Sequence, residues 1–106
     1  MDLRTLASRR DFDHVWRNGR RARRNGILVS ALPTAPDAGR VGLIARAQGA
    51  VVRNRIKRRL RAALMECEAA GMDAVVSGQE SVANMPFDEL VDALRASLEG
   101  ARRGMD

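Results

Sequence analysis

Aromatic residues are almost absent from this 106-residue chain: Phe12, Trp16 and Phe87 make up 3% of it, and there is no tyrosine. The core must therefore be assembled from Leu, Val, Ile, Ala and Met. A single cysteine, Cys67, excludes an internal disulfide and a cysteine-based zinc site. A single histidine, His14, excludes a multi-histidine metal site. No run approaches the ~18–20 apolar residues of a membrane-spanning helix. The opening MDLRTLASRR carries no apolar stretch of signal type, so retention in the cytoplasm is the expectation. Lysine is nearly missing too, with Lys57 the only one among 19 basic residues. Arginine presents a planar fork of donors suited to phosphate.

Apolar residues make up 45% of the chain, enough for one modest core, and the length predicts a single domain over 1–106. Charge is divided unevenly along it. Residues 1–61 hold 16 of the 19 basic and 4 of the 13 acidic residues, whereas 62–106 hold 3 basic against 9 acidic. A polyanion-binding first half joined to an ordinary second half accounts for that division.

The patterning predicts a helix from Ser8, a candidate N-cap, to about Asn18, with Gly19 closing it. Phe12, Val15 and Trp16 share one of its faces. Arg20–Arg24 (RRARR) adds a dense run of positive charge. Ile27–Leu32 and Arg40–Ala45 read as strands, and the short Pro33–Gly39 loop between them predicts an antiparallel hairpin. A long helix is expected from about Ala50 to Ala70, ahead of Gly71, then a strand at Met72–Ser77. Asn84 and Pro86 open a last helix with an apolar stripe of Phe87, Leu90, Val91, Leu94, Leu98 and Ala101. The class is α+β, with helices packed on a small sheet.

Residues 50–67, AVVRNRIKRRLRAALMEC, are the most informative. On a helix, Val52, Ile56, Leu60, Ala63, Leu64 and Cys67 form one stripe that must be buried. Arg53, Asn54, Lys57, Arg58 and Arg61 occupy the next sector, and Arg55 and Arg59 flank the stripe on its other side. Like charges three and four apart cost a few tenths of a kcal/mol per pair, roughly, in an isolated helix. Arg53/Lys57, Lys57/Arg61, Arg55/Arg59, Arg55/Arg58 and Arg58/Arg61 are such pairs, and no acidic residue stands among them. A solvated face would intersperse Glu; nucleic acid supplying the countercharge explains its absence better.

VVRNRIKRRLR resembles the RNR signature of the bacterial ribonuclease P protein family, A-V-x-R-N-x-x-K-R-x-x-R, which begins that family's long helix. Ala50, Val51, Arg53, Asn54, Lys57, Arg58 and Arg61 match it position by position. Leu6, Asp11–Phe12, Val15, Trp16 and Gly19 are similar to its N-terminal pattern. Two departures stand out. Ile44-Ala45-Arg46-Ala47-Gln48-Gly49 replaces a basic Ser-Lys-Lys-type stretch, keeping charge only at Arg46. Ser30 or a neighbour stands where a strand tyrosine is usual.

The resemblance implies a mixed sheet with three helices in the order α-β-β-β-α-β-α, including a left-handed βαβ crossover. It implies a protein without catalytic residues of its own, the subunit of a ribonucleoprotein whose catalytic RNA removes the 5′ leader from precursor tRNA. RNA-binding residues would be Arg46, Arg53, Asn54, Arg55, Lys57, Arg58 and Arg61. Asn54 would fix the loop–helix junction or accept a magnesium-bound water. A groove between the first helix and the sheet would take the single-stranded leader, with Phe12, Trp16 and Arg20 beside it. Phe12 and Trp16 offer either stacking surface for unpaired bases or plain core packing; Trp16, wide and amphipathic, favours the groove. The protein alone would bind no cofactor, with Mg2+ required by the RNA-containing holoenzyme, and neither membrane nor DNA is an expected partner.

A ribosomal-type RNA-binding protein shares the charge and size. A DNA-binding regulator is the other alternative, but this helix follows strands and is nearly all Arg, which favours phosphate contact over base reading. A free-standing nuclease would need an acidic or histidine cluster that the chain lacks. His14, beside Asp11 and Asp13, is expected to be a surface residue, and Cys67 an inert core thiol.

Overall fold

The computed structural model of the protein describes residues 4–6, 8–36 and 38–104; Asp37 of the expected loop and the first three residues of the opening lie outside them. A two-residue strand, β1 (Arg4–Thr5), precedes helix α1 (Arg9–Asn18). Ser8 caps α1 as expected, its Oγ accepting the Asp11 N–H at 3.4 Å. Gly19 closes it, donating its N–H to the Val15 carbonyl at 2.9 Å. Close approach demands glycine there: a Cβ would lie 2.6 Å from the Val15 carbonyl oxygen and 2.7 Å from the Ala31 nitrogen.

The RRARR run is a strand. Arg20–Arg24 forms β2, antiparallel to β3 (Ile27–Pro33). Their turn is Asn25-Gly26, with φ of 52° and 87°, the left-handed pair that suits a two-residue hairpin. The expected hairpin between Ile27–Leu32 and Arg40–Ala45 does not form. β4 (Arg40–Arg46) and β3 are both partners of β5 (Met72–Gln79), which lies between them, parallel to β4 and antiparallel to β3. The sheet order is β1-β4-β5-β3-β2. β5 takes the centre because Ala74, Val75, Val76 and Ser77 are buried in succession, so both of its faces need cover.

Helix α2 (Ala50–Leu64) connects the parallel neighbours β4 and β5, and α3 (Phe87–Arg103) follows a 3-10 turn at Glu80–Ala83. α2 stops six residues short of the expected Ala70. Arginines of α3 take up carbonyls of the turning chain: Arg95 donates to Glu66 at 2.8 Å, and Arg102 to Glu68 and Ala70 at 3.2 and 3.3 Å. The helix's own last carbonyls, of Arg61, Ala63 and Leu64, accept from the N–H groups of Met65, Glu66 and Cys67 in a tightened final turn.

α1 covers one face of the sheet, and α2 with α3 the other. The larger core joins Ile56, Leu60 and Leu64 of α2, Leu90, Leu94 and Leu98 of α3, and Ile27, Val29, Ala74 and Val76 of the sheet. A smaller cluster beneath α1 joins Leu6, Val15 and Val75, with Phe12, Trp16, Leu32 and Ile44 packed against it. The expected α3 stripe is buried except for Phe87, its first residue, which is 42% exposed; Met85, just before the helix, packs on the core instead.

Candidate nucleic-acid interface

α2 carries the first basic surface. Ile56, Leu60, Ala63 and Leu64 are buried as the stripe requires; Val52 is half-buried, and Cys67 is buried beyond the end of the helix. Arg53, Asn54, Arg55, Lys57, Arg58 and Arg61 are all exposed. Their cations differ in what holds them. Arg53 Nη1 donates to the Ala47 carbonyl at 3.3 Å, so the loop–helix junction is tied by Arg53; the Asn54 side chain makes no hydrogen bond among the described residues. Arg55 Nη1 donates to Asn84 Oδ1 at 3.4 Å, and Arg59 Nη2 to the Met85 carbonyl. The half-buried Arg59 leaves its Nε without a partner. These two therefore brace the segment leading into α3. Lys57, Arg58 and Arg61 have no ion pair among the described residues, which leaves their charge open to an external anion.

The second basic surface lies on the α1 side of the sheet. Strand alternation places Arg21 and Arg23 of β2, Arg46 of β4 and Ser77 of β5 on this face. The Arg21 guanidinium sits 4.7 Å from the centroid of the half-buried Trp16 ring, and that of Arg46 at 5.9 Å. Arg46 Nε also donates to Ser77 Oγ at 3.1 Å. A small hollow of about 50 Å3 continues past Arg46 and is lined by Arg23, Leu28, Ser77 and Gln79.

Arg46 thus lies in the groove beside Trp16 and not with the α2 cations. Arg20, expected beside Trp16, lies on the opposite face, its Cβ 3.4 Å from where a Cβ on Gly104 would be. Arg21 takes the place expected of it, and Arg23 shares that face of the sheet. The signal for them was available: once Asn25-Gly26 is read as a hairpin turn, RRARR becomes a strand, and Arg21 and Arg23 share one side of it.

Two features hold α1 to this face. Ser30, on β3, donates from its Oγ to the Val15 carbonyl at 2.8 Å and approaches that of Trp16 at 3.3 Å. Its small, fully buried side chain lets the end of α1 lie close to the sheet. At the other end, Arg40 of β4 bonds Asp73 Oδ2 at 2.9 Å and Asp11 Oδ2 at 3.0 Å, joining α1 to the sheet. The bond to Asp73, then that to Asp11, pushes the Arg40 guanidinium above its ordinary range, so it stays charged. Phe12 lies half-buried over Gly42, where a Cβ would meet its ring at 2.5 Å.

His14 is exposed, with Asn18 Nδ2 3.2 Å from its Nδ1. Cys67 is buried, its Sγ donating to the Ala63 carbonyl at 3.3 Å, and burial pushes the thiol up. Among the described residues no three His, Cys, Asp or Glu side chains gather as a metal site would need.

Known proteins share this sequence pattern and fold. The family described as Ribonuclease P matches residues 2–102. The ribonuclease P protein component of Kocuria rhizophila is 36% identical over 97 residues, spanning 87% of this chain and 86% of that protein. The one from Pseudarthrobacter chlorophenolicus is 38% identical over 103 residues, covering 92% and 74%. Among solved structures, the RNase P protein of Staphylococcus aureus superposes with a TM-score of 0.75 at 19% identity, over 92% of this chain and 94% of that one. The RNase P protein of Thermotoga maritima gives 0.73 at 22% identity, over 93% and 96%. At such identities the structures speak for the fold alone.

Proposed function

The chain belongs to the ribonuclease P protein family, and we propose that it is the RNA-binding subunit through which a catalytic RNA removes the 5′ leader of precursor tRNA. The observation that carries this reading is the set of α2 cations without an ion pair among the described residues, Lys57, Arg58 and Arg61, with no acid interspersed on the helix. Phosphates of a large folded RNA would neutralise them, and the counterions released would drive association. Exposed Arg53, Asn54 and Arg55 widen the same surface.

The groove supports the second half of the reading. Trp16 offers a half-buried ring with the Arg21 and Arg46 guanidinium groups over it, a combination suited to holding an unpaired base while tracking its phosphates. A single-stranded leader fits such a surface better than a duplex, whose bases are stacked on one another. Phe12, four residues back, extends the apolar side of the helix.

The described residues do not form a cage for a divalent ion. We assign the Mg2+ that such hydrolysis uses to the RNA, where it would activate water and stabilise the leaving oxygen. The protein's part is to bind, orient and screen charge. We place this work in the cytoplasm, with the transcripts to be trimmed.

Reconstitution tests the assignment. The protein alone should leave precursor tRNA intact, and adding the cognate catalytic RNA should give cleavage at a magnesium concentration where that RNA alone is slow. Robust cleavage by RNA-free protein that survives repurification would overturn it.

A further inference from the structure

A second concavity, of about 260 Å3, opens at the β1 edge of the sheet and shares no lining residue with the hollow beside Arg46. Its volume falls just under the ~300 Å3 at which ligand clefts usually begin, which suits one small ring system with a substituent. Leu6 and Phe12 wall it on the α1 side and Leu64 on the α2 side. Arg4, Lys57 and Arg61 stand around it, and no acidic residue among the described ones lines it. None of the three has an ion pair among the described residues, unlike Arg40 nearby.

The floor adds hydrogen-bonding groups. β1 pairs with β4 only at Arg40 and Val41, and the Leu6 N–H then donates to the Val41 carbonyl at 3.1 Å. Along a strand, successive residues turn their N–H and C=O to alternate sides. Leu43, two residues after Val41, therefore turns one donor and one acceptor toward the same edge, where no further strand pairs among the described residues. The cavity thus combines apolar walls, an open backbone edge and three cations.

A nucleotide is the ligand class that uses all three: a flat apolar ring, polar atoms on its edge, and a phosphate one sugar away. We propose that this cavity receives one unpaired nucleotide of the RNA bound on α2, with the base among Leu6, Phe12 and Leu64 and the phosphate held by Arg4, Lys57 and Arg61. The proposal rests on the reading that α2 carries RNA. Lys57 and Arg61 belong to both the α2 surface and the cavity rim, so a strand following the α2 cations reaches the cavity without crossing the fold. The base edge would meet the Leu43 backbone.

The test uses the full chain without RNA, followed by amide NMR during titration with the four ribonucleoside 5′-monophosphates and, separately, with inorganic phosphate. Nucleoside monophosphates should shift the amides of Leu6, Gly42 and Leu43 saturably, and inorganic phosphate should leave the Leu43 amide in place. Thr5→Trp fills the cavity from an exposed position while keeping every cation, and should weaken mononucleotide binding about tenfold or more, the loss of one stacked base. Arg4→Glu, also exposed, should weaken it as well. The proposal is overturned if phosphate alone reproduces the shifts, if nucleotide shifts are confined to α2 or to the Trp16 groove, or if both variants bind mononucleotides like the parent. Failure of the α2 reading itself would show separately, as catalytic-RNA affinity that is indifferent to salt and to Arg58→Ala.

Discussion

Arg21 lies over the indole of Trp16, 4.7 Å from the ring centroid, while its Nη2 donates to the Trp16 backbone carbonyl at 2.7 Å. The first strand residues after α1 thereby fold back on the helix's last turn. One face of the ring is occupied by a cation that can also meet a phosphate, which prepares the pair for a single-stranded nucleic acid.

Trp16→Ala should weaken affinity for precursor tRNA carrying a leader of several nucleotides by roughly 5-fold to 150-fold, the worth of one stacked base at about 1–3 kcal/mol. Affinity for mature tRNA and for the catalytic RNA should barely change. Were the ring only core, the substitution would cost about 3–5 kcal/mol of stability and weaken every ligand together. Three affinities and one unfolding curve on this variant separate the two cases.

Adjacent arginines of α2 should behave differently. Arg58→Ala, at an exposed side chain without an ion pair among the described residues, should leave the melting temperature unchanged. It should lower the slope of log affinity against log salt by roughly 0.7–0.9. Arg59→Ala removes the bond to the Met85 carbonyl from a half-buried position and should cost about 1–3 kcal/mol of stability, with little change in that slope. Swapped outcomes would exchange their roles.

Gly42→Ala should be destabilising by roughly 1–3 kcal/mol through overpacking, because the new Cβ would come within 2.5–2.7 Å of the Phe12 ring. Phe12→Leu in the same chain should recover part of that loss. A double-mutant cycle read by urea denaturation measures the coupling, and strictly additive losses would mean that the two positions do not press on each other.

Alkaline pH should expose the Cys67 thiol. Burial pushes it up, with Arg95 pulling weakly the other way, so the folded state holds the proton more tightly than the unfolded chain. That contribution to stability is fully present below the unfolded-state value of about 8.5 and is lost as pH rises through the higher folded-state value. Cys67→Ala should therefore lose less stability than the parent above about pH 8.5. Parallel pH profiles for the two proteins would dismiss the thiol.

The sequence by itself determined the three helices, the strands that begin at Ile27, Arg40 and Met72, and the chemistry they display. Ser8 and Gly19 bound α1, the apolar period of Ile56, Leu60 and Leu64 fixes which side of α2 is buried, and the missing acids around Arg53–Arg61 announce a polyanion. These features repeat every two or 3.6 residues, so a short window contains them. Only the tertiary structure decided what meets what. Strand alternation says that Arg20 and Arg21 face opposite ways, but not which of them shares a face with Trp16; α1 settled that by packing on the side of Ser30 and Val75. The expected hairpin failed because β5, which begins only at Met72, beyond the whole of α2, is buried on both faces and displaced the neighbour in sequence. α2 ends at Leu64, and Arg95 and Arg102 of a distant helix donate to the carbonyls of the chain that turns away from it. Arg46 sits with Trp16, Arg59 with Met85, and Leu6 with Leu64 around the edge cavity, each pair joined across more than twenty residues. Such pairings depend on how two apolar faces close over one sheet, and no local period encodes that.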